Sequence, residues 1–172
     1  ITAYGDNGLA ETKTDPLQRV MEYSYDDAGR KLLVIANEVN GTPSGVNGDD
    51  DVHTRYVYTD GLMTKLFVDL DGDNTEDSDD QVTTYTYGVS KGASAGDSEI
   101  GSGRLLKTIA FPDSSGASDV VSFAYNALGQ EIWKKDQAGN IIETTYDTGG
   151  RPAHRAASTI DTDFDSTVQR IS

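Results

Sequence analysis

A tyrosine followed four residues later by a glycine recurs along this chain, and the recurrence constrains the fold more than any other feature. Tyr25-Asp26-Asp27-Ala28-Gly29-Arg30, Tyr125-Asn126-Ala127-Leu128-Gly129-Gln130 and Tyr146-Asp147-Thr148-Gly149-Gly150-Arg151 are three copies of one phrase, and Tyr4-Gly5-Asp6-Asn7-Gly8-Leu9 is a looser fourth. The spacings from Tyr4 to Tyr25 and from Tyr125 to Tyr146 are both 21 residues. Self-similarity near this period marks a repeat architecture, in which each unit is one supersecondary element that cannot bury its own face.

The residues before each tyrosine alternate. Met21, Tyr23 and Tyr25 fall on one side of an extended segment, and Glu22 and Ser24 fall on the other. Tyr56 with Tyr58, Tyr85 with Tyr87, the set Val121, Phe123 and Tyr125, and the set Ile142, Thr144 and Tyr146 repeat the pattern. Period-two alternation rich in aromatic and β-branched residues predicts half-buried antiparallel strands. The glycine after each tyrosine supplies the positive φ of a turn. Second strands are expected over Lys31 to Ala36, Leu62 to Val68, Arg104 to Phe111 and Gln130 to Lys135. Asp15, Asp69 and Asp136 each lie 11 residues after Tyr4, Tyr58 and Tyr125 and close those strands. Asp15-Pro16, Asn40-Gly41, Asp113-Ser114-Ser115-Gly116 and Asp136-Gln137-Ala138-Gly139 read as turns. Each repeat is then a hairpin, and neighbouring hairpins must pair side by side because one alone is not stable. The wider spacings around Tyr58 and Tyr87 are the same unit with polar insertions, Gly41 to Asp51, Gly72 to Gln81 and Gly88 to Gly103. No helix is predicted.

Composition sharpens the class. The net charge of −15 argues against nucleic acid and anionic membrane surfaces as partners. Nine tyrosines and four phenylalanines carry large buriable area in a chain only 35% hydrophobic, and 18 glycines indicate many turns. Cysteine is absent, which excludes disulfides and thiolate metal sites. No apolar run is long enough to insert into a membrane as a helix.

The phrases Tyr-Asp-x-x-Gly-Arg at Tyr25 and Tyr146 and Tyr-Asn-Ala-Leu-Gly-Gln at Tyr125, with the paired Tyr-x-Tyr segments, resemble the YD-repeat or Rhs-repeat family. The resemblance covers nearly the whole chain. It implies a spiral of β-hairpins that is often rolled into a hollow shell, enclosing toxic cargo in bacterial members and forming adhesion ectodomains in animal members. Those shells usually end in a core segment with an aspartate-dependent self-cleavage site. No part of this sequence matches that segment, so cleavage and cargo are not carried over. The expected fold is all-β: tandem β-hairpin YD repeats in a curled or spiralling antiparallel sheet with long acidic loop insertions. Residues 1–172 are expected to form one array of about six repeats, anchored at Tyr4, Tyr25, Tyr58, Tyr87, Tyr125 and Tyr146.

The two ends of the sequence read in register. Val168-Gln169-Arg170-Ile171-Ser172 parallels Leu17-Gln18-Arg19-Val20-Met21, and Ser172 followed by another Ile1 would place Arg170 six residues before the next Tyr4, as Arg19 precedes Tyr25. The chain is therefore expected to be a segment, or one higher-order repeat, of something longer.

One local motif points to a metal. Asp69-Leu70-Asp71-Gly72-Asp73-Asn74-Thr75-Glu76-Asp77-Ser78-Asp79-Asp80 has carboxylates at the spacing of a twelve-residue calcium loop. The expected Ca2+ ligands are Asp69, Asp71, Asp73, the Thr75 carbonyl, Asp77 and Asp80. Asn74 stands where such loops carry glycine, and a solvated acidic turn is the alternative. Asp49-Asp50-Asp51 reads as a charged loop.

Gly92-Ala93-Ser94-Ala95-Gly96 has the spacing of a nucleophile elbow but lies in an insertion without the strand and helix that motif needs. His53 and His154 are expected at the solvated surface. Trp133 and Phe164 are the aromatic candidates for a sugar-binding face. Asn40-Gly41-Thr42 is a glycosylation sequon. The expected function is a non-enzymatic extracellular or cell-surface structural module that builds a continuous β wall or fibre with other copies or adjoining repeats. A segment of a cargo-enclosing shell, and an adhesion or carbohydrate-binding module, are the alternatives.

Overall fold

The computed structural model describes residues 1–39, 51–73, 75–116, 118–158 and 169–171. The chain divides into two compact units, Ile1–Thr84 and Tyr85–Ser172. The first contains β1 (Thr2–Tyr4), β2 (Ala10–Thr14), β3 (Val20–Tyr25), β4 (Lys31–Glu38), β5 (Val52–Thr59), β6 (Leu62–Asp69) and the opening residues of β7 (Gln81–Val89). The second contains the remainder of β7, then β8 (Ser102–Ala110), β9 (Val121–Tyr125), β10 (Glu131–Lys135), β11 (Ile141–Tyr146), β12 (Pro152–Ser158) and β13 (Gln169–Ile171). Within each unit the strand order is chain order. The strand ladders are antiparallel, as at β2–β3, β5–β6 and β11–β12. Among the described residues there is no helix. The fold is all-β, as expected, and its strands begin and end within three residues of the predicted second strands.

The turns explain why the tyrosine phrase carries an aspartate and an arginine. In Asp26–Arg30 the Asp26 N–H donates to the Arg30 carbonyl, and the Gly29 N–H donates to the Asp26 carbonyl, both at 2.9 Å. Gly29 adopts φ 76°, which admits glycine at little cost. Asp26 Oδ1 accepts from the backbone N–H groups of Ala28 and Arg30, and Oδ2 accepts from Arg30 Nε at 2.7 Å. One carboxylate thus satisfies three donors that the turn would otherwise leave to water. Asp147–Arg151 repeats this clamp bond for bond. Asp15–Arg19 repeats it at the other end of the hairpin, with Gln18 at φ 65° where the others hold glycine.

Asp136–Asn140 and Asn126–Gln130 are variants. Asn140 donates its amide to Asp136 Oδ2, and Asn126 donates its amide to Gln130 Oε1, each at 2.8 Å. Replacing the carboxylate by an amide turns an acceptor into a donor, so its partner must become an acceptor. The sequence makes both changes together. The β5–β6 hairpin has a different turn, Asp60-Gly61 with φ 51° and 79°. This is the two-residue mirror turn whose twist matches the flanking strands.

Full burial is sparse. Among the described residues, Ile35 and Phe67 are the buried hydrophobics of the first unit, and Val89, Val121 and Ala124 those of the second. Tyr23 and Tyr25 are half-buried, but Met21 is 39% exposed, against the expected alternation. The β3–β4 register shifts between Val20 and Met21, which breaks the period at that end of the strand.

Candidate functional site

The recurring residues converge on contacts between successive hairpins. Tyr25 ends β3, and its hydroxyl donates to the Ala10 carbonyl of β2 at 2.9 Å. Tyr125 ends β9 and donates to the Leu106 carbonyl of β8 at 2.9 Å. Tyr146 ends β11 and donates to the Glu131 carbonyl of β10 at 2.8 Å. Each phenol reaches back to the hairpin before its own, diagonally across the ladder. Burial, followed by the Glu131 carboxylate and Tyr87, pushes the Tyr125 phenol above its ordinary value, so it remains a protonated donor.

The residue that ends each turn reaches the other way. A Cβ built on Gly29 would lie 3.6 Å from Leu9 Cδ1, one on Gly61 3.9 Å from Arg30 Nη1, and one on Gly150 3.4 Å from Gln130 Nε2. Gln130 Nε2 also donates to the Gly150 carbonyl at 2.8 Å. The Arg30 guanidinium lies 4.5 Å from the centroid of the Tyr58 ring, a cation–π contact with the next anchor. Leu9, Arg30 and Gln130 occupy one position of the phrase, five residues after Tyr4, Tyr25 and Tyr125. Tyrosine therefore fastens a repeat backwards and the turn-ending residue fastens it forwards. The phrase displays that position, but its forward role emerges only in three dimensions.

The acidic loop is built on the β5–β6 hairpin. His53 and Arg55 share one face of β5; His53 is the ladder partner of Asp69, and Arg55 the partner of Phe67. Arg55 Nε donates to Asp69 Oδ2 at 2.5 Å, and the Gly72 N–H donates to Asp69 Oδ1 at 2.7 Å. Asp69 is 1% exposed. Burial alone would raise its pKa, but the Arg55 and Gly72 hydrogen bonds and the charges of Arg55 and His53 more than offset it. The carboxyl is held below its ordinary value. Sequence reasoning gave Arg55 no part in this site, because its pairing depends on a diagonal register that no motif announces.

Of the six expected calcium ligands, the fold brings three together. One oxygen from each of Asp69, Asp71 and Asp73 lies within 4.8 Å of the others. That spread suits oxygens around one ion at about 2.3–2.6 Å. The remaining carboxylates serve the loop backbone. Asp80 Oδ1 accepts from the Leu70 N–H and Oδ2 from the Asp77 N–H, while Asp77 Oδ1 accepts from the Asp79 N–H. Asp71 and Asp73 also accept from backbone, at the Asp73 and Thr75 N–H groups. Thr75 is an exposed member of this loop, and Asn74 lies outside the described residues.

The expectation for His53 is corrected. It is 4% exposed, with Nδ1 3.9 Å from Asp69 Oδ2 and neither ring nitrogen hydrogen-bonded. The inward face of β5 carries it, opposite Asp69 on one side and Ile35 on the other. His154 is exposed, as expected. Asp51 departs from a solvated charged loop: it is 1% exposed and accepts from the Val39 N–H at 2.8 Å.

Gly92–Gly96 forms a turn without a helix, held by the Ser94 N–H on Asp97 Oδ2 and the Gly92 N–H on the Ser98 carbonyl. This loop lies against the indole of Trp133. A Cβ at Gly96 would stand 3.1 Å from Trp133 Cζ2, and Gly96 has φ 81°, so both space and backbone call for glycine there. Asn40-Gly41-Thr42, Asp49, Asp50 and Phe164 lie outside the described residues.

No protein-family model matches the chain, and no curated protein does. Among solved structures, it is similar to the crystal structure of TcdB2-TccC3-TEV at 13% identity and a TM-score of 0.38, with 98% of this chain and 9% of that chain covered. It is similar to TcdB2-TccC3 without the hypervariable C-terminal region at 15% identity and a TM-score of 0.32, covering 99% and 11% of the two chains. The chain thus spans about a tenth of the length of the solved chains it matches.

Proposed function

We propose that this chain is a non-enzymatic structural module of the YD-repeat type, which extends an extracellular β wall or fibre by pairing hairpin to hairpin. One observation carries the reading. The residues that define the repeat are spent on adjacent repeats: Tyr25, Tyr125 and Tyr146 on the preceding hairpin, and Leu9, Arg30 and Gln130 on the following turn. Such two-way coupling between nearest neighbours is how a repeat array shares stability along its length. Asp69, Asp71 and Asp73 would take calcium weakly and stiffen the β6–β7 loop, and a melting curve unchanged by a chelator would remove that role.

Electron microscopy of the native material tests the proposal. A continuous wall or filament with strands about 4.8 Å apart is the expected result. Isolated globular particles with no extended sheet would contradict it.

A further inference from the structure

A cleft of about 740 Å³ opens in the second unit, between the loop that carries Gly92 to Asp97 and the sheet surface of β10 and β11. Its lining sets one indole, Trp133, among three carboxylates, Asp97, Glu99 and Glu143. Among the described residues that line it there is no lysine, arginine or histidine. Trp133 and Glu143 are ladder partners on neighbouring strands. Side chains directly opposite one another start about 4.5–5.5 Å apart, so a group seated on the indole is within reach of the Glu143 carboxylate. Asp97 and Glu99 come from the loop side. Asp97 Oδ2 accepts from the Ser94 N–H at 2.8 Å, and Glu99 Oε2 accepts from the Ala127 N–H at 3.1 Å. Each carboxylate is thereby held in place with its other oxygen left over, and Glu143 is exposed with no partner among the described residues. The loop's glycines serve this arrangement: a Cβ at Gly92 would collide with the Asp97 carboxylate, as one at Gly96 would crowd the indole.

We infer that this cleft binds the arginine side chain of a basic peptide segment. A guanidinium is planar, stacks on aromatic faces and forks onto carboxylates, so it matches both parts of the lining at once. The charge pattern excludes the simpler occupants. Among the described residues, Asp69, Asp71 and Asp73 lie close enough together to share a metal ion, whereas Asp97, Glu99 and Glu143 form no such group. They are spread for an extended organic cation instead. A neutral ligand would leave their mutual repulsion uncompensated. Arg155 does not supply the missing charge from within the chain: it is the ladder partner of Thr144 and bonds it on the face of β11 opposite to Glu143. The volume is in the range of pockets that take small ligands, with room for a side chain and its adjoining backbone. The net charge of −15 draws a cationic segment toward the chain, and the indole gives it a place to stop. The site lies within one unit and does not depend on the chain forming a wall.

Trp133 is the single tryptophan of the chain, so its fluorescence reports on the cleft directly. The test is titration of the 172-residue chain with a capped tri-arginine peptide, alongside the matching tri-citrulline peptide, which keeps the side-chain shape without its charge. A saturable change in emission with the arginine peptide, and none with the citrulline peptide, is the expected result. Glu143→Gln should weaken binding roughly three- to tenfold. Asp27→Asn removes an equal charge from an exposed position of the first unit and should leave binding unchanged. Equal weakening by the two substitutions would reduce the effect to general attraction by an acidic chain and overturn the site. A citrulline peptide that binds as well, or an emission that does not respond to the arginine peptide, would overturn it too.

Discussion

Asn126 donates its side-chain amide to the side-chain carbonyl of Gln130 at 2.8 Å, where the equivalent turns set an aspartate against an arginine. The turn keeps its geometry while the polarity of its clamp is reversed. Gln130 gains a second task, because its own amide donates to the Gly150 carbonyl of the next turn.

Reversing one partner alone should therefore fail. Asn126→Asp faces Gln130 Oε1 with a second acceptor, and rotating the glutamine amide to relieve this gives up its bond to Gly150. We expect a loss of about 1 kcal/mol for the single substitution and recovery of most of it in Asn126→Asp/Gln130→Arg. Urea unfolding of the two variants checks this. Equal stability of single and double variants would show that the clamp does not couple the pair.

Acid should loosen the other turns. Backbone N–H groups and arginine side chains hold Asp15, Asp26 and Asp147 below their ordinary values, led in each case by the N–H of the turn-ending arginine. Asp119 is held down first by the Ser115 N–H, and also by Gln137, which reaches it from the β10–β11 turn. A depressed folded pKa means that the unfolded chain binds protons first. Stability from these groups is fully present above the ordinary carboxylate range near pH 4 and is lost as pH falls through their folded values. Melting temperature should decline steeply below about pH 4, and a flat profile from pH 6 to pH 2 would contradict the clamps.

Arg55 should be the most sensitive charged position. Its partner Asp69 has a side chain with no exposed surface, and Arg55 itself is 16% exposed. Arg55→Ala leaves a buried carboxylate without its countercharge, a change that costs about 3–5 kcal/mol. Denaturant unfolding gives the value directly. A loss below about 1 kcal/mol would mean that Asp69 finds water or another cation.

Much of this architecture was legible in the sequence, and the reasons are local. Period-two alternation and the tyrosine-to-glycine spacing place most of the strands and turns because hairpins are set by neighbouring residues. The acidic loop was visible by spacing, and the fold gathers Asp69, Asp71 and Asp73 from it. What escaped depends on register. His53 looked like a surface histidine until the β5–β6 ladder set it opposite Asp69, and Arg55 joined that site only through a diagonal pairing. Asp60-Gly61 is a strong two-residue turn signal that stands outside the longer phrase. The forward contacts of Arg30 and Gln130 were unreadable, since each joins two turns separated by a whole strand pair.

The central claim is that the recurring tyrosine ties each hairpin to the one before it. The most direct test is equilibrium unfolding of Tyr25→Phe, Tyr125→Phe, Tyr146→Phe and their combination. Each should lose about 0.5–1.5 kcal/mol, and the triple variant roughly the sum, because the three bonds lie in separate repeats. Tyr4→Phe, whose hydroxyl makes no such bond among the described residues, should leave stability unchanged. A triple variant as stable as the wild type would contradict the account.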